Sequence, residues 1–223
     1  MSDQLVDIGQ VILHGVLFDP KNTEAWRKMD YAQNILQSVP KLFDLLDERG
    51  VEYVLVGGIA MLAYVEGRNT QDIDLIVDPK NLEKLPEIRI EDRNRQRARG
   101  RLGELQVDFL FAKEDLFESI RNGYTTKKQF ADRTVTCATV DGLLLVKMYA
   151  LSDKYREDRH GSAWQDETDI ASLIGRFQPI IPPLVDELAK FMLPSDVEEI
   201  RRIVAEIEDR IAKQSQRFGP AAP

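Results

Sequence analysis

The sequence predicts an α/β (α+β) protein, a small sheet carrying helices, on three observations. The stretch from Val51 to Pro79 passes from an apolar run, Tyr53 to Val56, through the pair Gly57-Gly58 and an apolar helix-like segment. It then enters a second strand that opens Asp72-Ile73-Asp74-Leu75. A further strand, Leu105 to Phe111, alternates apolar and polar residues, the period of a half-buried strand. From residue 139 onward the apolar positions recur at helical spacing. The chain is therefore read as an N-terminal helical segment over 1–50 packed on a core of 51–138, followed by a helical region over 139–223.

Composition bounds the function. With 223 residues, 43% hydrophobic and 30% charged, the chain has the make-up of a soluble globular protein with one substantial core. A net charge of -8 argues against a general nucleic-acid coating protein, which needs a broad basic surface, so any nucleic acid must be held locally. The single cysteine, Cys137, forms no internal disulfide, and the amino terminus MSDQLVDIGQ lacks a basic, signal-like block. A cytoplasmic location is expected. No apolar run reaches the roughly 20 residues of a membrane helix, because Lys147 interrupts the longest candidate.

Taken in order, Leu5, Ile8, Val11, Ile12, Val16 and Leu17 suit one helical face, although VILHGVLF also suits a strand. Nearby His14 has no second histidine at metal-binding spacing. Asn22 and Thr23 can cap a helix carrying Trp26, Met29, Ile35 and Leu36. Ser38-Val39-Pro40 is expected to start another that ends at Gly50 and covers the sheet with Leu42, Phe43, Leu45 and Leu46.

The chemistry is expected in the next stretch. On a strand, Asp72 and Asp74 project to one side while Ile73 and Leu75 project to the other. Backbones two residues apart lie roughly 6.6 Å from each other, so both carboxylates can reach one ion or an ion pair. Like charges that close call for a proton or a cation, and hard oxygen ligands favour magnesium or manganese. Gly57 and Gly58, without Cβ atoms, let a backbone approach a phosphate. Asp108, between Val107 and Phe109, stands by alternation on the polar face of another strand and supplies a third carboxylate.

Two glycines, an Asp-x-Asp strand and a later lone Asp between apolar residues resemble the DNA polymerase beta-like nucleotidyltransferases. Within that superfamily the chain is similar to minimal nucleotidyltransferases and to AbiEii-type toxins. The resemblance runs from Val51 to Asp169 and is carried by Gly57, Gly58, Arg68, Thr70, Asp72, Asp74 and Asp108. It implies a small mixed-sheet nucleotidyltransferase core with flanking helices. The three acids would hold two divalent ions, Mg2+ or Mn2+, and the glycine turn would hold the triphosphate of a nucleoside triphosphate such as ATP. It also implies transfer of a nucleotidyl group to an acceptor hydroxyl on RNA, transfer RNA included, or on a protein. A toxin-antitoxin setting, with an antitoxin as partner, follows from the same likeness. An aminoglycoside acceptor, or a noncatalytic module of the same fold binding a nucleotide or a partner, is the alternative. Gly58 stands where many members have serine, which removes a side-chain phosphate donor.

Several residues keep two readings. Arg68 can bridge phosphate oxygens or form a salt bridge that holds the acids, and Thr70 is expected to order its turn through the hydroxyl. Leu82 to Leu85 reads as a short helix. The arginines at 89, 93, 95, 97, 99 and 101 can steer a nucleotide or RNA, or can simply face water on a hairpin or helix edge. Asp115 to Arg121 reads as a helix and Thr134 to Thr139 as a strand. Lys147, mid-helix among apolar residues, either snorkels outward or meets an acid or phosphate, and the resemblance gives it a nucleotide contact. Asp166 and Asp169 lie one turn apart after a capping box at Ser162 to Gln165; the resemblance extends to this pair, since related toxins carry acids in the corresponding helix, while the residues themselves suit an ion pair to Lys147, Lys154 or Arg156. Pro182-Pro183 starts one further helix, and Ser195 with Glu198 caps the last, whose Ile200, Ile203, Val204, Ile207 and Ile211 are expected to pack within the chain.

Overall fold

A computed structural model describes residues 5–17, 29–113, 115–156 and 160–218, in two compact units, Met1–Ala138 and Thr139–Pro223. The helix cap read at Asn22 and Thr23, and Trp26 with it, lie outside the described residues.

The first unit is built on one seven-stranded mixed sheet. Its strands are β1 (Tyr53–Val56), β2 (Asp72–Val77), β3 (Arg89–Arg93), β4 (Arg97–Leu102), β5 (Leu105–Phe111), β6 (Thr125–Gln129) and β7 (Thr134–Ala138), in spatial order β3-β4-β5-β2-β1-β7-β6. The pairs β2 with β5 and β1 with β7 are parallel, and the other pairs are antiparallel. Alternation along β5 buries Leu105, Val107, Phe109 and Phe111 and leaves Gln106, Asp108 and Leu110 half-buried. On β2, Ile73 and Leu75 are fully buried while Asp72 and Asp74 stand on the half-open face. The period of two thus sorts core from site on both strands.

Helices pack on this sheet. The opening segment is α1 (Ile8–Leu17), a helix whose Ile8, Ile12, Leu13 and Val16 are buried. Gly15 meets the Thr70 carbonyl so closely that a Cβ there would overlap it. The next helix, α2 (Met29–Glu48), corrects a sequence expectation: it continues through Pro40 instead of breaking at Ser38 to Pro40. A proline inside a helix costs about 3 kcal/mol. Burial of Ile35, Val39, Leu42, Phe43 and Leu46 along one stripe, each contributing roughly 1.5–3 kcal/mol, outweighs it. Helix α3 (Gly57–Leu62) follows β1, and a 3-10 turn, Pro79–Lys84, replaces the helix read at Leu82 to Leu85. Asp115 caps α4 (Leu116–Gly123), accepting from the backbone amides of Phe117 and Glu118.

Strand β6, Thr-Thr-Lys-Lys-Gln, is an element the sequence reading lacks, because it carries no apolar alternation at all. It is an edge strand, and lysines suit an edge that must not pair with other chains.

The second unit is helical: α5 (Val140–Arg156), α6 (His160–Phe177), α7 (Ile181–Leu188) and α8 (Pro194–Phe218). Ile200, Ile203, Val204 and Ile207 of α8 are buried. Helices α6 and α8 begin two residues and one residue ahead of the caps read at Ser162 and Ser195, with Pro194 pre-set for a first helical turn. No helix among the described residues is long and apolar enough to cross a membrane.

Candidate active site

The site starts where β1 runs into α3. Gly57 has φ +64°, a backbone shape that favours glycine, and a Cβ on it would overlap the Asp74 carboxylate. At Gly58 a Cβ would sit 2.5 Å from Thr70 Oγ1 and 3.2 Å from Arg68 Nε. The two glycines are therefore a matter of space as well as turn geometry: the backbone lies against Asp74, Thr70 and Arg68. The volume beside residue 58 is filled by the Thr70 hydroxyl, which the link 67–71 brings in.

The three acids are set side by side by strand register. In the parallel pair, Asp72 stands opposite Gln106 and Asp74 opposite Asp108. Asp72, Asp74 and Asp108 each offer a carboxylate oxygen within 4.8 Å of the others, and all three residues are half-buried. Thr70 Oγ1 donates to Asp72 Oδ1 at 2.9 Å, and Gln106 Nε2 donates to Asp72 Oδ2 at 3.3 Å. Thr70 thus orients a carboxylate, a different task from ordering its own turn. Three hard oxygen donors converging on one space fit Mg2+ or Mn2+.

The sequence reading placed Arg99 in the basic stretch but not against Asp108. Arg99, on β4 opposite Asp108, forks its guanidinium onto that carboxylate: Nε donates to Oδ1 and Nη2 to Oδ2, both at 2.8 Å. The Asp108 bond, with the charges of Asp72 and Asp74 adding to it, holds Arg99 more firmly protonated than a free arginine. The signal was present in the sequence. A two-residue turn at Gly103-Glu104 places Leu102 opposite Leu105, and counting back along both strands reaches Arg99 and Asp108.

The other arginines take distinct places. Arg101 stands opposite Gln106 and Arg89 opposite Arg101, so Arg89, Arg99 and Arg101 extend the acidic face of the sheet outward. Arg89 and Arg101 both pair with Glu91. Arg93 turns elsewhere, over the Phe111 ring, because a bulge between Ile90 and Asp92 shifts the register. The basic stretch is a hairpin.

Lys147 belongs to the second unit. Its ammonium lies 2.8 Å from Asp166 Oδ1 and 2.8 Å from Asp169 Oδ2, and Lys154 pairs with the other Asp166 oxygen. Arg156, the third cation considered for these acids, pairs with Asp153 and Asp196.

No protein family matches the chain by sequence, and no curated protein matches it. Solved structures do resemble it. A nucleotidyltransferase-like antigenic protein from Paracoccidioides brasiliensis superposes with a TM-score of 0.51 at 16% identity, covering 82% of this chain and 91% of its own. The antibiotic-resistance factor ANT(2'')-Ia gives 0.48 at 18% identity over 85% and 98%. The lincosamide adenylyltransferase LnuA gives 0.42 at 18% over 61% and 94%. At such identities the likeness is one of fold, and the fold is nucleotidyltransferase-like.

Proposed function

We propose that this protein is a metal-dependent nucleotidyltransferase that moves a nucleotidyl group from a nucleoside triphosphate to an acceptor hydroxyl. The observation that carries the reading is the register of β2 on β5, which sets Asp74 beside Asp108 and two residues from Asp72, against a glycine turn packed on Asp74, Thr70 and Arg68.

Asp72, Asp74 and Asp108 would hold Mg2+ or Mn2+, which supplies positive charge to the triphosphate and to the attacking and leaving oxygens. Gly57 and Gly58 would present backbone to the phosphates, and Arg68, whose Nε lies beside that turn, would add a guanidinium contact to them. Thr70 and Gln106 keep the Asp72 carboxylate aimed. In the transfer, the acceptor oxygen bonds to the α-phosphorus, the bond to the β-phosphate oxygen breaks, and pyrophosphate leaves. Asp108, beside the acceptor, takes the hydroxyl proton. Lys147 would contact a nucleotide only by leaving Asp166 and Asp169.

The acceptor proposed is an RNA end. Arg89, Arg99 and Arg101 continue the acidic face of the sheet, and the hairpin from residue 89 to 101 holds six arginines against Glu91 and Asp92 in a chain of net charge -8. Local positive charge attracts phosphates and repels a polycationic acceptor such as an aminoglycoside. The toxin-antitoxin setting is carried by the sequence resemblance alone.

The test is thermal stability with each nucleoside triphosphate, with and without Mg2+, for wild type and the Asp72→Asn, Asp74→Asn double variant. A ligand at about 100 times its Kd stabilises by about 2.7 kcal/mol. The expected result is a Mg2+-dependent rise in Tm with at least one nucleotide, absent in the variant, and label transfer from that nucleotide to RNA but not to an aminoglycoside. No rise with any nucleotide at millimolar concentration would overturn the reading in favour of a noncatalytic module.

A further inference from the structure

Three carboxylates with oxygens inside 4.8 Å of one another carry a cation already, and it is a side chain. The Arg99 fork uses both oxygens of Asp108, so this acid meets a guanidinium where Asp72 meets a threonine hydroxyl and a glutamine amide. We infer that Arg99 is a resident counter-ion which masks Asp108, so that Asp108 becomes a metal ligand only after an anionic acceptor has drawn the guanidinium away. This rests on the metal-dependent reading above and adds a condition to it: Asp108 joins the metal site only once Arg99 has left it.

A carboxylate bidentate to arginine has its best lone pairs engaged, and a divalent ion arriving there meets the repulsion of a fixed positive charge. Arg99 is also free to travel. Its side chain is 50% exposed against 20% for Asp108, so the guanidinium loses little water-excluded packing when it moves while the acid stays in place. Finally, Arg99 sits on the very carboxylate that would take the acceptor's proton, and Arg101 and Arg89 continue the same cationic line outward. A phosphate of the acceptor, adjacent to the attacking hydroxyl, is the natural second partner for the fork. Masking the third acid until the acceptor arrives would keep a bound nucleotide from being attacked by water.

The experiment is Mn2+ binding followed by electron paramagnetic resonance on the full chain without nucleotide. It compares wild type, Arg99→Gln, Arg99→Lys, Arg99→Gln with Asp108→Asn, and the Asp72→Asn, Asp74→Asn double variant. A half-exposed bidentate pair beside two further acids corresponds to about tenfold in a competing equilibrium. Arg99→Gln is expected to bind Mn2+ about tenfold more tightly than wild type, Arg99→Lys in between, and the gain to vanish when Asp108 is also Asn. Adding a short oligoadenylate is expected to raise wild-type Mn2+ affinity and leave Arg99→Gln unchanged.

Equal Mn2+ affinity in wild type and Arg99→Gln, with binding lost in the Asp72→Asn, Asp74→Asn variant, would overturn the masking role and leave the metal reading standing. Absence of Mn2+ binding in every protein would overturn both. A gain in Arg99→Gln with no response of wild type to oligoadenylate would overturn the acceptor as the displacing group.

Discussion

Asp166 and Asp169 meet two lysines in an apolar helical unit, whereas Asp72, Asp74 and Asp108 crowd together on a half-open sheet face where Arg99 forks onto Asp108. In the first group two negative charges face two positive ones, and Lys147, Asp166 and Asp169 are 7%, 2% and 6% exposed. In the second, three acids lie with oxygens inside 4.8 Å of one another, and all three residues are only half-buried. Burial explains the balance of the first. A charge removed from water is tolerated only when paired, so four groups inside helices α5 and α6 have to come to electrical completion within the chain. The sheet face is under no such demand, and its three crowded carboxylates are what a divalent cation would neutralise. Acidic clusters of similar composition can thus be sorted by whether the protein itself finishes them.

The most severe way to break the comparison is at Lys147. Replacing it by methionine removes the ammonium that meets both buried carboxylates, and unpairing a buried ion typically costs 3–5 kcal/mol. Lys147→Met is expected to lower the urea-unfolding free energy by about 4 kcal/mol. A loss below about 1 kcal/mol would mean that the pairs are dispensable for stability, and the ammonium could then be spent on a ligand.

A smaller effect is expected at the turn that serves the other group. Gly57→Ala demands a left-handed backbone from alanine and pushes a methyl into the Asp74 carboxylate. The strain alone costs about 1–2 kcal/mol. The expected outcome is a loss of about 2 kcal/mol by urea unfolding together with loss of the Mg2+-nucleotide rise in Tm. Retention of that rise would show that Asp74 need not hold its present position.

Both groups were partly legible in the sequence, for different reasons. Alternation alone put Asp72, Asp74 and Asp108 on one face, because β2 and β5 each bury the intervening residues. Arg99 was hidden in plain view: arginines at every second position read as a solvated edge unless the hairpin register is drawn, and the register is fixed by Gly103-Glu104 rather than by the arginines. For Asp166 and Asp169 the one-turn spacing announced a shared partner, but three cations were within sequence reach and only packing selects Lys147 and Lys154. The break expected at Pro40 failed because local chemistry was weighed without the apolar stripe that carries α2 through it. Strand β6 left no trace, since an all-polar edge strand owes its existence to its neighbour.

The smallest effect sharpens the comparison most, because its sign differs between the groups. In Asp72→Asn one of three crowded charges is gone, while Thr70 and Gln106 can still hydrogen-bond the amide. Two like charges about 4 Å apart at a wet surface repel by roughly 1 kcal/mol or more, and added salt screens that repulsion. Without metal and at low salt, Asp72→Asn is therefore expected to raise the unfolding free energy by about 1 kcal/mol. The gain should shrink at about 1 M salt, where the Debye length is about 3 Å, and reverse in Mg2+ and nucleotide, which stabilise only the wild type. Urea unfolding in the four conditions measures this directly. If Asp72→Asn lost more than about 1 kcal/mol without metal, the trio would be satisfied by the chain as the buried four are, and its crowded carboxylates could not be the reason to expect a cation.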